Sequence, residues 1–136
     1  SFAVEPANAR RRAAGEIDCV LPDRRLRLRA GPAARERLRD LPPVLRGLAV
    51  ELLRRAILEP ILGVGPEDLE FTHDDEEAIA AVAAGRAAAA FLLNPPSMAE
   101  VREVCLAGEV MPEKSTYFYP KLATGLVFSL VGPPWV

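Results

Sequence analysis

The sequence is poor in the residues that build disulfide frameworks, metal centres and membrane spans. Its 136 residues include two cysteines, Cys19 and Cys105, and a single histidine. These cannot form a disulfide-dense scaffold or supply the ligands of a usual zinc site. No run approaches the roughly 18 apolar residues of a transmembrane helix. The unpaired cysteines and the lack of a targeting segment predict a cytoplasmic protein without a membrane partner.

Intrinsic disorder is also excluded, because 50% of the residues are hydrophobic and 26% are charged. The length is that of one domain, residues 1–136. The chain begins with Ser1 rather than methionine, and Phe2-Ala3-Val4 has the pattern of a strand interior. We interpret the sequence as a C-terminal fragment of a longer protein.

Positive and negative residues are separated along the chain. Residues 1–57 hold 13 arginines and 7 carboxylates, and residues 58–136 hold 4 basic and 12 acidic residues. A basic half could face nucleic acid or phosphate. It could equally reflect arginine-rich solvated faces in a high-GC coding background. The absence of aromatic residues among these arginines favours the second interpretation.

Residues 16–43 are predicted to form a hairpin and a short helix. Apolar and polar side chains alternate on both sides of Pro22-Asp23, which predicts a β-hairpin over 16–30 with one apolar and one cationic face. A charged helix over 33–40 follows, and Leu41-Pro42-Pro43 breaks it.

Helices and strands are predicted to alternate after residue 43. An apolar stripe predicts a helix over 44–59 that ends at Pro60 and Gly63. Strands are predicted over 69–72 and 87–93, and a helix follows each of them.

Capping signals define the two later helices. Asp74 with Glu77, and Ser97 with Glu100, have the spacing of capping boxes at the helix starts. Glycines predict the helix ends, at Gly85 and Gly108. Because capping explains the acidic run that begins at Asp74, we predict no metal site there.

The fold class that follows is α/β or α+β. An N-terminal hairpin and helices precede a βαβα unit, whose short connections predict a right-handed crossover and parallel strands. A C-terminal strand pair over 117–122 and 125–130 closes the domain.

One segment departs from the Ala-, Arg- and Leu-rich background, and it contains both lysines and both tyrosines. It reads Met111-Pro112-Glu113-Lys114-Ser115-Thr116-Tyr117-Phe118-Tyr119-Pro120-Lys121. Where arginine is the usual cation, a lysine suggests that a compact primary amine is required.

We interpret this segment as a candidate phosphate or other anion site. Lys114 and Lys121 would supply charge, and Ser115 and Thr116 would supply hydroxyl donors. The alternative is a strand pair at a sheet edge, protected by its lysines, with Tyr117 and Tyr119 packing. Strand alternation and Pro120 leave open whether the two lysines converge.

The same segment carries a family resemblance. Residues 111–128 resemble the C-terminal signature of an uncharacterised prokaryotic family, catalogued as domain of unknown function 1015 and sometimes labelled ParB-like. Residues 58–63 and 91–95 are similar to two earlier blocks of that family. The resemblance covers residues 44–130 and implies the C-terminal part of a longer protein.

The family-like blocks contain three further polar candidates. Glu59 and Glu109 could each act as a general base or as a ligand partner. Glu59 could equally cap its own helix or pair with an arginine on it. Asn94 could read an anion at the end of its strand, or could be a turn residue. The family pattern has an Asp and a His where this sequence has Ala49 and Arg54, so part of a family activity could be lost.

The sequence thus predicts a domain that binds a small phosphorylated metabolite or a nucleotide, with Mg²⁺ as a possible companion, as part of an enzyme. Phosphate-linked chemistry would need the rest of the full-length protein. The first alternative is a structural or interaction domain that pairs with the remaining N-terminal part or with a second copy. The second is a ParB-like nucleic-acid module that uses four arginines, Arg24, Arg25, Arg27 and Arg29.

Overall fold

The computed structural model of the chain describes residues 2–7 and 12–116 and shows an α+β fold with a four-stranded antiparallel sheet. The strands are β1 (Phe2–Pro6), β2 (Glu16–Val20), β3 (Arg25–Ala30) and β4 (Ala90–Leu92). The α-helices are α1 (Pro32–Glu36), α2 (Ala49–Leu53), α3 (Asp75–Ala83) and α4 (Met98–Leu106). Short 3-10 helices span Pro43–Leu45 and Pro66–Asp68. None of the helices in the described ranges is long and apolar enough to cross a membrane.

The predicted hairpin is confirmed as the centre of the sheet. β2 and β3 pair antiparallel, and the Leu21 N–H donates to the Arg24 carbonyl at 2.8 Å to close the turn. β1 pairs with β3 and β4 pairs with β2, so the strand order is β1-β3-β2-β4. Because side chains alternate along a strand, this order gives the sheet two chemically different faces.

The apolar face of the sheet carries the main core. Ile17 of β2 and Leu28 of β3 are directly paired and pack with residues of α1 and α2. Val104 of α4 is fully buried in the same cluster. On the opposite face a smaller core joins Val20 and Leu92 to α3, and charged side chains cover the rest.

The predicted helix over 44–59 differs from the observed segment at both ends. The chain forms a 3-10 turn first, α2 begins at Ala49, and a π-helical segment, Arg54–Leu62, extends it. Pro60 lies inside this segment, and the end is at Gly63 in a left-handed conformation with φ 64°. A proline ring clashes with the carbonyl four residues earlier in an α-helix, and the wider π turn relieves that clash.

The predicted βαβα unit with parallel strands is wrong in two respects. Residues 69–72 form no strand and pair with no described strand, and Phe71 is 55% exposed. β4 is shorter than the predicted strand over 87–93, and it runs antiparallel to β2, with Leu92 opposite Asp18. Since β4 pairs with the hairpin rather than with residues 69–72, these two segments form no parallel crossover.

The helix signals are confirmed except for one capping box. Ser97 and Glu100 form the predicted reciprocal box at α4. At α3, the Asp74 carboxylate accepts a hydrogen bond from the Glu76 N–H at 2.9 Å. The Glu77 carboxylate accepts from the Thr72 hydroxyl rather than from the Asp74 N–H, so the reciprocal box is not formed.

Both later helices end at the predicted glycines. Gly85 and Gly108 have φ of 70° and 74°, a conformation in which a side chain would be strained. The predicted strand pair over 117–130 lies outside the described residues.

Candidate functional site

The start of the lysine-containing segment is held by α4 and by the main core. The Glu109 N–H donates to the Val104 carbonyl at 3.1 Å, which closes the α4 C-terminus beyond Gly108. Two residues later, Met111 packs against the main core. The chain is therefore held by a partly buried apolar contact three residues before the first lysine.

A tight turn presents that lysine. The Ser115 N–H donates to the Pro112 carbonyl at 3.2 Å, and the Ser115 hydroxyl donates to the same carbonyl at 2.5 Å. Lys114 occupies the third turn position with φ 58°, the one positive φ of a non-glycine residue among the described residues. Positive φ at this position alone is the pattern of a type II turn, in which glycine is the usual residue.

The left-handed backbone of Lys114 is energetically costly. A side chain in this region is destabilised by about 1–2 kcal/mol relative to the right-handed conformation. Glycine would remove that strain. Strained residues of this kind cluster at ligand sites and switches, and Lys114 is exposed.

The other members of the predicted anion site differ in position and availability. Thr116 is half-buried beside the turn, and the Ser115 hydroxyl is engaged within the turn itself. Lys121, Tyr117 and Tyr119 lie outside the described residues.

Asn94 is held at a different contact. Its amide nitrogen donates to the backbone carbonyls of Arg12 at 3.1 Å and Ala13 at 3.2 Å. Its side-chain oxygen accepts from the Arg12 guanidinium at 3.4 Å. These contacts join the end of β4 to the loop before β2, and they use the amide donors that an anion would need.

The two candidate general bases also have structural contacts. Glu59 is exposed on the π-helical segment, with a carboxylate oxygen 3.9 Å from the Arg54 guanidinium. Glu109 is half-buried and contributes its backbone N–H to the end of α4. None of the contacts described for these residues joins either carboxylate to Lys114, so a shared catalytic role remains a prediction.

The sequence patterns missed a buried ion cluster on the second face of the sheet. Asp18 on β2 is fully buried, and its carboxylate accepts from the Arg27 guanidinium at 2.8 Å and from Arg25 at 2.9 Å. Arg12 approaches the same carboxylate at 3.7 Å. One buried carboxylate thus faces three guanidinium groups.

Glu16 and Glu5 complete the charge balance of this face. Glu16 accepts from Arg29 at 2.7 Å, and Glu5 of β1 lies 2.8 Å from the same guanidinium. The predicted cationic face is therefore matched by carboxylates, and its charge is not free. The alternation of acids on β2 and arginines on β3 was visible in the sequence, but their pairing follows only from the strand register.

The ion cluster shifts the acidity of its carboxyl groups. Burial alone would raise the pKa of Asp18, but hydrogen bonds from Arg27 and Arg25 outweigh it and hold the pKa below its ordinary value. The Ala13 N–H and the Arg29 guanidinium lower the pKa of Glu16 in the same sense. Both groups are accordingly charged in the folded protein at neutral pH.

A metal centre has no support in the described part of the chain. No group of three or more His, Cys, Asp or Glu side chains within residues 2–7 and 12–116 could hold a metal ion.

Comparison with known proteins gives no family model, curated protein or solved structure that matches this chain. The resemblance drawn from residues 44–130 accordingly remains a prediction.

Proposed function

We propose that the turn around Lys114 binds a small anionic ligand, of the class of phosphorylated metabolites and nucleotides. The observation that carries this proposal is the left-handed conformation of an exposed lysine, with φ 58°, in a position suited to glycine. A residue that costs stability at this position is explained if its amine contributes to binding.

The geometry around the turn supports a defined ligand position. Met111 is anchored on the core, and two hydrogen bonds close the turn onto Pro112, so the Lys114 backbone is fixed before a ligand arrives. A preorganised cation loses less conformational freedom on binding than one on a flexible loop. The half-buried Thr116 and, further along the chain, Lys121 are the additional donors of this proposal.

The proposal extends to an enzymatic role for the same site. Glu59 and Glu109 would act as general bases, and Mg²⁺ would accompany a bound nucleotide. Membership of the family catalogued as domain of unknown function 1015 is part of the same hypothesis. A role in phosphate-linked chemistry would require residues from the remainder of a longer protein.

The decisive experiment compares two Lys114 variants in a thermal-shift screen. Lys114→Gly removes the amine and relieves the left-handed strain, while Lys114→Ala removes the amine and keeps the strain. The probes are inorganic phosphate, ATP and phosphoserine, each with and without Mg²⁺. At 100 times its Kd, a ligand stabilises the parent by about 2.7 kcal/mol, which raises Tm by roughly 5–10 °C.

We expect both variants to lose the ligand-dependent shift. Without ligand, Lys114→Gly should be as stable as the parent or more stable, by up to about 1 kcal/mol. Lys114→Arg should retain part of the shift. Arg86→Ala, which removes an exposed cation beyond α3, is the matched control. A parent without any shift, or variants that shift as the parent does, would contradict the proposal.

A second candidate function is a structural or interaction domain. Three apolar side chains on and after α4 are largely exposed among the described residues, with Met98 at 70%, Leu106 at 76% and Val110 at 82%. Exposed apolar surface of this kind favours a protein partner, either the rest of a longer protein or a second copy. The nucleic-acid alternative has less support, because Arg25, Arg27 and Arg29 each form an ion pair with a carboxylate of the sheet.

A further inference from the structure

An apolar groove lies on the main-core face of the sheet, between β1, α1 and the π-helical segment. Its volume is about 380 Å³, and Phe2, Val4 and Ile61 form much of its open side. Val4 is 57% exposed and Ile61 is 64% exposed. The surface is thus apolar, accessible and concave, as a site for a buried side chain must be.

The groove borders the edge of the sheet that β1 forms in the described part of the chain. β1 is an outer strand, and among the described residues it pairs only with β3. An open edge presents unpaired N–H and C=O groups, which can bond an additional strand. Such a strand would place every second side chain on the same face as Phe2 and Val4, next to the groove.

A single cation at the groove identifies the chemistry of its occupant. Arg37 follows α1 and lines the groove with an exposed side chain. The neighbouring Arg39 pairs with Glu36 at 2.7 Å, but no carboxylate among the described residues lies within 4.0 Å of Arg37. A guanidinium that has no carboxylate partner in the described ranges and lies beside an apolar groove is complementary to an acidic side chain on the same strand face as an apolar one.

We infer that β1 and this groove bind an extended acidic-apolar peptide by strand addition. The peptide backbone bonds the β1 edge, an apolar side chain enters the groove, and a carboxylate pairs with Arg37. This inference rests on the second candidate function, the interaction domain, and gives it a class of partner. It is independent of the anion turn at Lys114.

A second copy of the chain is a poorer occupant of the same groove. Two β1 strands paired edge to edge would offer Glu5 as the nearby carboxylate. Glu5 lies on the opposite face of the sheet, where it pairs with Arg29 at 2.8 Å. It therefore cannot reach Arg37 across such a pair.

The probe is a fluorescent eight-residue peptide with alternating valine and threonine and one valine replaced by aspartate, so that the carboxylate lies on the same face as the remaining valines. Its binding to the full chain is measured by fluorescence anisotropy. We expect Arg37→Ala to weaken binding at least about fivefold and Arg39→Ala to leave it unchanged. Ile61→Arg should block the groove, and its exposed position means that the fold should tolerate the change. A peptide with N-methylated backbone amides should not bind.

Two results would overturn the inference: no binding up to millimolar peptide, or binding insensitive to Arg37→Ala, Ile61→Arg and N-methylation. Light scattering on the parent chain distinguishes a failure of the peptide site alone from a failure of the interaction-domain function. Self-association without peptide binding would retain the interaction domain and reject the peptide site. A monomer that binds no peptide would reject both the peptide site and pairing with a second copy.

Discussion

Replacing Asp18 by asparagine tests whether the ion cluster on the second face of the sheet stabilises the fold. The side chain keeps its size, but the charge that faces Arg12, Arg25 and Arg27 is removed. Asp18 is fully buried and Arg27 is 5% exposed, so water cannot compensate for the loss. The asparagine amide would also point a donor toward a guanidinium group.

The expected loss of stability is large for one substitution. Breaking a buried ion pair by removing one partner costs about 3–5 kcal/mol, and a domain of this length has roughly 5–15 kcal/mol of total stability. The corresponding fall in Tm is about 6–20 °C. A change of this size should be clear in any equilibrium unfolding experiment.

Urea unfolding followed by circular dichroism measures the effect directly. Asp23→Asn is the matched control, because Asp23 is 70% exposed and lies 3.5 Å from Arg24. An exposed pair of this kind contributes at most about 1 kcal/mol. If Asp18→Asn lost no more stability than Asp23→Asn, the cluster would not be a stabilising element.

Two further predictions follow from the same structure. Because the pKa values of Asp18 and Glu16 are lowered by folding, their stabilisation should be complete above the unfolded values, about 3.9 and 4.3. This stabilisation should be lost as pH falls through the folded pKa values. In urea unfolding from neutral to acidic pH, Asp18→Asn should therefore show a smaller fall in the free energy of unfolding than the parent. Ser97→Ala should destabilise the domain by about 1 kcal/mol, because it removes the α4 cap at the Glu100 N–H. Equal stability of the parent and Ser97→Ala would refute the capping effect.

The parts of the fold that depend on neighbouring residues could be predicted from the sequence. The hairpin over 16–30, the box at Ser97 and the helix ends at Gly85 and Gly108 each need a few local positions. The direction of β4 and the π-helical segment could not be predicted, because each depends on tertiary packing. Residues 69–72 have a strand-like composition, but pairing requires an available partner, and β4 occupies the β2 edge.

The candidate site was predictable to a smaller extent. Residue chemistry singled out Lys114, and the structure adds the turn and the left-handed backbone, which no composition shows. Asn94 was expected to bind an anion or to form a turn, and its observed contacts are structural. The pairing of Asp18 with Arg27 depends on the register of two strands, so the sequence pattern predicted only a cationic face.

The arrangement of charges on β2 and β3 also limits the alternative structures open to this hairpin. If the pairing slipped by one residue, Asp18 would face Leu26 or Leu28 in the apolar core instead of Arg27. Arg27 would then be left on the other face without its carboxylate. Both errors place an uncompensated charge in a buried position, so misaligned hairpins are strongly disfavoured. The ion cluster thus selects one strand alignment during folding, whatever its contribution to the final stability.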